Sequence, residues 1–445
     1  MIPMHRFAIV ALMATGFAVR PAAGMRFPRH APGDTAATIR FEVNGLSVIL
    51  RRNTANDVVA ANLYLLGGAR QLTESTAGIE AMLLAVSERG TKHFPGAAAR
   101  QRTARLGSTI GIDVNDDWSS IGLHAIRATF DSTWAILADR VMSPTLEAAD
   151  VAIVRDQLVS LARERRTQPD DAATELADSL LYRDHPYLIP PTGSEASLTS
   201  ITVTQMKQYH VQQFVTSRML LIVVGNVDRG QIEKLVRQSI GTLPRGSYKW
   251  SAPPPPTTSG PALALDNRAL PTNYLLGYAA GPPATDSDYT ALRVATAVLS
   301  GRLFTEVRSR RNLSYAVEAP FLERAHAVGG LYVTTVAPNE VLRLMRQELN
   351  ALQNETVDPA GLKRLEQQFI TEYYLKNETN ADQANALAKA ELYHGDYRVA
   401  DRFMESLRRV TPEDVRRAAR QYLRNFQFAY VGDSSKLDRS LLQQF

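Results

Sequence analysis

The sequence predicts an α+β protein built from two homologous domains, each an antiparallel-rich sheet with helices packed on one face. Three observations carry this reading: a proline-rich break near the middle, a closing segment that occurs twice, and matching strand-then-helix openings. At 445 residues the chain exceeds one ordinary core, and about 150 to 250 residues per domain gives two.

The break runs over residues 251–262 and includes four consecutive prolines, Pro253 to Pro256. It has few side chains to bury and reads as an extended, semi-stiff linker between an N-terminal domain (25–250) and a C-terminal domain (263–445). The first domain ends with Ile201-Thr-Val-Thr-Gln-Met, an amphipathic stretch to Phe214 and the apolar run Met219 to Gly225. The second ends with Val410-Thr-Pro-Glu-Asp-Val, a similar stretch to Tyr422 and the run Phe426 to Gly432. Thr202 lies 12 positions before Phe214 and Thr411 lies 11 before Tyr422; the following intervals to the glycine are 11 and 10. One helix-then-strand unit is therefore expected at the end of both domains. Its second copy is well signalled, with Thr411 as N-cap, Pro412 at the first helical position and two acids in the first turn.

The openings correspond as well. Val58 to Leu65 and Tyr274 to Tyr278 read as buried strands, each followed by a glycine-containing turn and a helical pattern, Gly78 to Arg89 and Asp288 to Arg308. Alternating strands follow at Thr109 to His124 and Tyr315 to Thr335, then long amphipathic helices at Asp150 to Thr167 and Pro359 to Leu375.

Composition narrows the function. An apolar share of 45% with 21% charged residues supports globular packing. The net charge of +5 is the small difference between 50 basic and 45 acidic residues. The densest basic clusters, Arg163 to Arg166 and Arg308 to Arg311, interleave with acidic or apolar residues as a solvated helix face does, which argues against nucleic acid as a partner. The absence of cysteine removes disulfides, thiol nucleophiles and thiolate metal sites. At the N-terminus, Arg6, the apolar run Phe7 to Val19 and the small residues around Pro21 to Gly24 have the layout of a secretory signal peptide over residues 1–24. A periplasmic or secreted mature protein with no membrane segment is expected.

None of the eight histidines lies three, four or five positions from another, so no helix offers a histidine pair to zinc. Nucleophile-elbow, P-loop and Rossmann fingerprints are also missing. The residues alone show no catalytic constellation.

Four segments carry a family resemblance. Ala77-Gly-Ile-Glu-Ala-Met-Leu-Leu-Ala-Val-Ser-Glu-Arg-Gly-Thr91 resembles the inverzincin helix of the pitrilysin / mitochondrial processing peptidase family. Asp184-His-Pro-Tyr187 with Gly193 is similar to that family's His-Pro-Tyr and glycine loop. The segment from Arg302 to Val317 is similar to its second-domain signature, in which an arginine precedes a tyrosine by seven positions; here these are Arg308 and Tyr315. The duplicated closing units complete the match.

The family's H-x-x-E-H falls on Ala81-Met82-Leu83-Leu84-Ala85, so Ala81, Leu84 and Ala85 replace two histidine ligands and the general-base glutamate. The third ligand's window is Ser160 to Glu164, where Glu164 is the only carboxylate. One carboxylate cannot supply the three protein ligands of a catalytic zinc. Glu80 and Glu88, without histidine companions, read as exposed helix residues.

The resemblance implies a zinc-less subunit of a heterodimeric zinc metallopeptidase, inactive alone, with clam-like halves enclosing a chamber for unfolded peptide. Zinc is expected in the homologous partner subunit and none in this chain. Arg308 and Tyr315 are implied to bind substrate carbonyls and the oxyanion in trans, with Arg308 in the last helical turn before Asn312 and Tyr315 opening a strand. On residue pattern alone, Arg308 could equally serve the helix dipole and Tyr315 fill core space. An exposed sheet edge near Thr109 to Asp116 is expected to accept peptide by strand addition. The alternative is a catalytically silent scaffold or peptide-binding protein of the same fold, like the core proteins of respiratory complexes.

Overall fold

A computed structural model describes residues 38–445, and the leader expected over residues 1–24 lies outside the described residues. Two six-stranded sheets organise the described residues. The first contains β1 (Thr38–Val43), β2 (Leu46–Arg52), β3 (Val58–Leu66), β4 (Thr109–Val114), β5 (Trp118–Ile126) and β6 (Met219–Gly225). The second contains β7 (Ala262–Asn267), β8 (Asn273–Pro283), β9 (Val317–Glu318), β10 (Phe321–Leu322), β11 (His326–Thr335) and β12 (Gln427–Gly432).

The helices of the first half are α1 (Ile79–Val86), α2 (Ala98–Arg105), α3 (Phe130–Met142), α4 (Ala148–Thr167), α5 (Pro169–Leu181), α6 (Glu195–Ser200), α7 (Val203–Gln213) and α8 (Arg229–Arg237). Those of the second are α9 (Asp288–Leu303), α10 (Pro338–Asn354), α11 (Pro359–Lys376), α12 (Asn380–His394), α13 (Phe403–Arg408) and α14 (Pro412–Tyr422).

The duplication read from the closing segments extends to strand order. The first sheet runs β1-β2-β6-β3-β5-β4 and the second β7-β12-β8-β11-β10, with β9 also paired to β11. In the first sheet the last strand in sequence, β6, lies between β2, to which it is parallel, and β3, to which it is antiparallel; in the second, β12 lies in the same way between β7 and β8. Both of these closing strands, β6 and β12, are buried along their whole length, which is why they read as continuous apolar runs. The helices before them share a reciprocal cap: Thr202 accepts from the Gln205 N–H and Thr411 from the Asp414 N–H, and each partner side chain reaches back to the cap residue.

Each half packs its own helices on one face of its own sheet. Leu83, Trp134, Val154 and Met206 stand among the residues covering the first sheet, while Leu292, Val341 and Val415 cover the second. The opposite faces are covered by exchange. Helix α5, in the first half, lays Ala173, Ala177 and Leu181 on Leu276, Val328 and Ala429 of the second sheet. Helix α12, in the second half, lays Ala384, Leu387 and Ala388 on Ile49, Tyr64 and Ile222 of the first. The side chain of Asn385 seals this seat, accepting from the Tyr64 hydroxyl at 2.7 Å. A sheet apolar on both faces needs two covers, and residues 38–445 form one compact unit.

The proline-rich segment is a strap laid on this interlock. Pro253 and Pro256 are buried, the Ser251 carbonyl accepts from Arg70 at 2.6 Å, and the Trp250 indole donates to the Leu392 carbonyl at 2.8 Å.

Candidate functional site

Helix α1 carries the positions where the resembling family places its zinc motif. Gly78, in the left-handed region at φ 85°, precedes it. A Cβ at Gly78 would lie 2.7 Å from the Gly193 Cα, so the glycines of two separately recognised motifs are in backbone contact. Ala81 and Leu84 are buried and Ala85 half-buried, between the fully buried Met82 and Leu83. Glu164 stands exposed on α4. These positions offer zinc no donor set: aliphatic side chains stand at the two histidine-ligand positions and at the general-base position, and one exposed carboxylate is left. Among the described residues, no group of three or more His, Cys, Asp and Glu side chains is placed to hold a metal ion.

One residue on α1 departs from the sequence reading. Glu80, expected to be exposed, is buried: its Oε2 accepts from Arg218 Nη1 at 2.7 Å and from the Tyr209 hydroxyl at 2.9 Å. Arg218 is itself buried, its Nε donating to the Leu66 carbonyl at 2.7 Å. Burial, and then the adjacent Glu80 carboxylate, push the Tyr209 phenol well above its ordinary range. The available signal was a lone carboxylate within the apolar run Ala77 to Val86, since a charge on a buried helix face requires a partner. Glu88, at the end of the same segment, keeps about half of its side-chain exposure, 47%.

The Arg308 and Tyr315 site is built at the end of α9. After Leu303 the helix widens into a π-type turn over Phe304–Ser309, with the Arg310 N–H bonded to the Thr305 carbonyl at 2.9 Å. Asn312, in the left-handed region at φ 52°, ends the segment as expected. Regular strand structure begins at Val317 instead of Tyr315, because the β9 ladder reaches only Val317 and Glu318. Tyr315 is 82% exposed, which corrects the reading of it as core filling. The Arg308 guanidinium carbon lies 4.6 Å from the centroid of the Tyr315 ring, so the two signature residues do meet.

The same guanidinium carbon lies 5.1 Å from the centroid of Phe304, a ring that is 43% exposed. Sequence reading assigned Phe304 only to the helical pattern; the signal for more was its position four residues before the arginine. The nearest acid in sequence, Glu306, is engaged by Arg310 and Arg311. Among the described residues, the Arg308 guanidinium makes no ion pair and no hydrogen bond. A half-exposed cation held by two ring faces keeps its five N–H donors for an incoming acceptor. No hydrogen bond, ion pair or ring contact among the described residues joins this site to the α1 positions.

The His-Pro-Tyr loop serves a different purpose, tying the two halves together. His185 donates from Nε2 to the Pro254 carbonyl at 2.9 Å and accepts at Nδ1 from the Tyr187 N–H at 3.1 Å. That arrangement fixes the neutral tautomer, and burial lowers the imidazole pKa. The Asp117 carboxylate accepts from the Tyr187 hydroxyl at 2.6 Å and, across the halves, from the Tyr393 hydroxyl at 2.8 Å. Beside it, Arg324 donates to the Tyr182 hydroxyl at 2.6 Å and faces Asp116 at 3.3 Å and Asp178 at 3.5 Å. Burial, opposed by Arg324, raises Asp116 to about 6. Strand β4, proposed for peptide addition, is an edge strand with alternate residues exposed.

A duplicated sheet-and-helix unit, a helix at the zinc-motif position and an Arg-to-Tyr element are the features by which this chain resembles the inverzincin peptidases. The family model "Peptidase M16 inactive domain" matches residues 200–369, which include Arg308 and Tyr315. The chain is similar over most of its length to proteins of the pitrilysin / mitochondrial processing peptidase type. An uncharacterised zinc protease of Mycobacterium leprae is 26% identical over 392 residues, covering 85% of this chain and 87% of that protein. The mitochondrial-processing peptidase subunit beta of Blastocladiella emersonii is 21% identical over 257 residues, 58% of this chain and 55% of that one. Among solved structures, a peptidase M16 inactive domain from Pseudomonas fluorescens superposes with a TM-score of 0.82 at 19% identity, covering 89% of this chain and 98% of the other. A protease from Helicobacter pylori gives 0.81 at 16%, covering 89% and 100%. Among the described residues, no helix is long and apolar enough to cross a membrane.

Proposed function

We propose that this chain is the zinc-less subunit of a heterodimeric zinc metallopeptidase, acting in the periplasm or outside the cell after removal of its leader. In this reading the zinc and its general base belong to a homologous H-x-x-E-H subunit, and this chain contributes the grip on unfolded peptide. The single observation that carries it is the uncommitted Arg308 guanidinium against exposed Tyr315, in a chain whose Ala81, Leu84 and Ala85 are aliphatic. The guanidinium and phenol donate to substrate carbonyls and to the developing oxyanion. Donors held in place before the reaction each contribute on the order of 2 to 4 kcal/mol to transition-state stabilisation.

The test mixes the purified chain with a homologous H-x-x-E-H subunit and follows peptide cleavage. No cleavage is expected from this chain alone. In the mixture, Arg308→Ala or Tyr315→Phe is expected to lower activity at least about tenfold, equivalent to about 1.4 kcal/mol. A silent scaffold of the same fold predicts unchanged activity in both variants, and that outcome would replace the present reading.

A further inference from the structure

Resting on the reading above, we propose that Phe304 is a positioning residue: its ring forms the second wall of an aromatic clamp that holds the Arg308 guanidinium in the orientation that receives peptide carbonyls. Three observations converge on it. The Arg308 guanidinium carbon lies 5.1 Å from the Phe304 centroid and 4.6 Å from the Tyr315 centroid, so the cation has a ring from the helix side and another from the chain returning toward β9. Phe304 is 43% exposed although the helix around it buries Leu303 and Val307 completely, so it is not a core residue of the second domain. Finally, the turn that joins Phe304 to Arg308 is of π type. Its i→i+5 bonding widens the turn and brings residues four apart close to one stripe, which sets the ring beside the guanidinium.

The physical role follows from the kind of contact. A carboxylate would hold Arg308 as firmly, but it would occupy the N–H donors and cancel the charge. Glu306, the acid two positions away, is instead occupied by Arg310 and Arg311. Ring faces attract the cation through their quadrupole and leave its donors and its charge available. A long arginine side chain left free would have to be ordered at each binding event, which weakens affinity; the clamp provides that order in advance.

The experiment uses the full mature chain and fluorescein-labelled β-casein, an unfolded protein, as the probe. Binding is followed by fluorescence anisotropy and the motion of the Arg308 Nε–H by nitrogen-15 relaxation, for wild type, Phe304→Leu, Phe304→Trp and Arg308→Ala. Phe304→Leu is expected to weaken casein binding about threefold and to raise the Nε–H mobility, while Phe304→Trp, with a better ring face, retains both wild-type values. Unchanged Arg308 mobility in Phe304→Leu overturns the clamp, as does equal loss in the leucine and tryptophan variants, since a requirement for packing volume alone would produce it. If Arg308→Ala abolishes binding while Phe304→Leu leaves it intact, the clamp is wrong and the peptide-grip reading stands. Casein binding that survives Arg308→Ala, or that is absent from wild type, removes the peptide-grip reading and the clamp's purpose with it.

Discussion

Replacing Glu80 by leucine removes one member of a buried ion pair and isolates the other. The Glu80 and Arg218 side chains retain 3% and 1% of their exposure and meet at 2.7 Å. At that distance and an effective dielectric of about 20, their attraction is about 6 kcal/mol. Withdrawing two ions from water costs several kcal/mol for each, so the intact pair contributes little net stability. With Glu80 gone, Arg218 keeps its 2.7 Å bond to the Leu66 carbonyl but has lost its counter-charge. The Tyr209 hydroxyl loses its acceptor as well. We expect Glu80→Leu to destabilise the protein by about 3 to 5 kcal/mol. At about 2.1 cal/mol/K per residue over the described chain, that lowers the thermal midpoint by about 5 °C. The double variant Glu80→Leu/Arg218→Met removes both charges and should recover most of the loss, giving a coupling energy of at least about 2 kcal/mol in urea titrations followed by tryptophan fluorescence. Additive losses, or a single-variant cost below about 1 kcal/mol, would refute the assignment of Glu80 as a paired interior charge.

Three further outcomes follow from the interlock and from α1. Asp116 titrates at about 6 in the folded chain against an ordinary 3.8; the folded state therefore binds the extra proton between those values, and this group's stabilisation is complete below 3.8 and lost as pH rises through 6. Asp116→Asn should remove about 1 kcal/mol of the stability decline between about pH 5 and about pH 7, read from urea midpoints at both; an identical decline in the two proteins contradicts this. Leu387→Ala, in the α12 seat on the first sheet, should cost about 2 to 5 kcal/mol by calorimetry, whereas Leu375→Ala, 64% exposed on α11, should stay within about 0.5. Gly78→Ala must adopt a positive φ and press on Gly193, so a loss of about 2 to 4 kcal/mol in chemical denaturation is expected.

Much of the fold was legible because it is written in local pattern. The closing units could be read twice since a capped amphipathic helix followed by a wholly apolar strand leaves a signal in both periodicity and spacing, and both strands lie between one parallel and one antiparallel neighbour. Asn312 was legible as a left-handed stop for the same reason. Glu80 was not, because its partners Arg218 and Tyr209 are more than a hundred positions away and a helical pattern does not state which face a partner will cover. The exchanged helices α5 and α12 were missed in the same way: their small apolar faces are ordinary in sequence, and only topology decides that each lies on the other half's sheet.

The sequence by itself determined that two similar α+β units follow one another, that Ala81, Leu84 and Ala85 are aliphatic, and that an arginine and a tyrosine stand seven positions apart. These are matters of side-chain chemistry and short-range periodicity, which one dimension records completely. Tertiary structure alone decided that Arg308 lies against Tyr315 and Phe304 with its donors uncommitted, that Glu80 is an interior charge, and that Tyr393 closes on Asp117 from the other half. Each of these depends on the distance between groups remote in sequence or on the width of a single turn, and such distances are fixed only when the sheets and their exchanged helices pack.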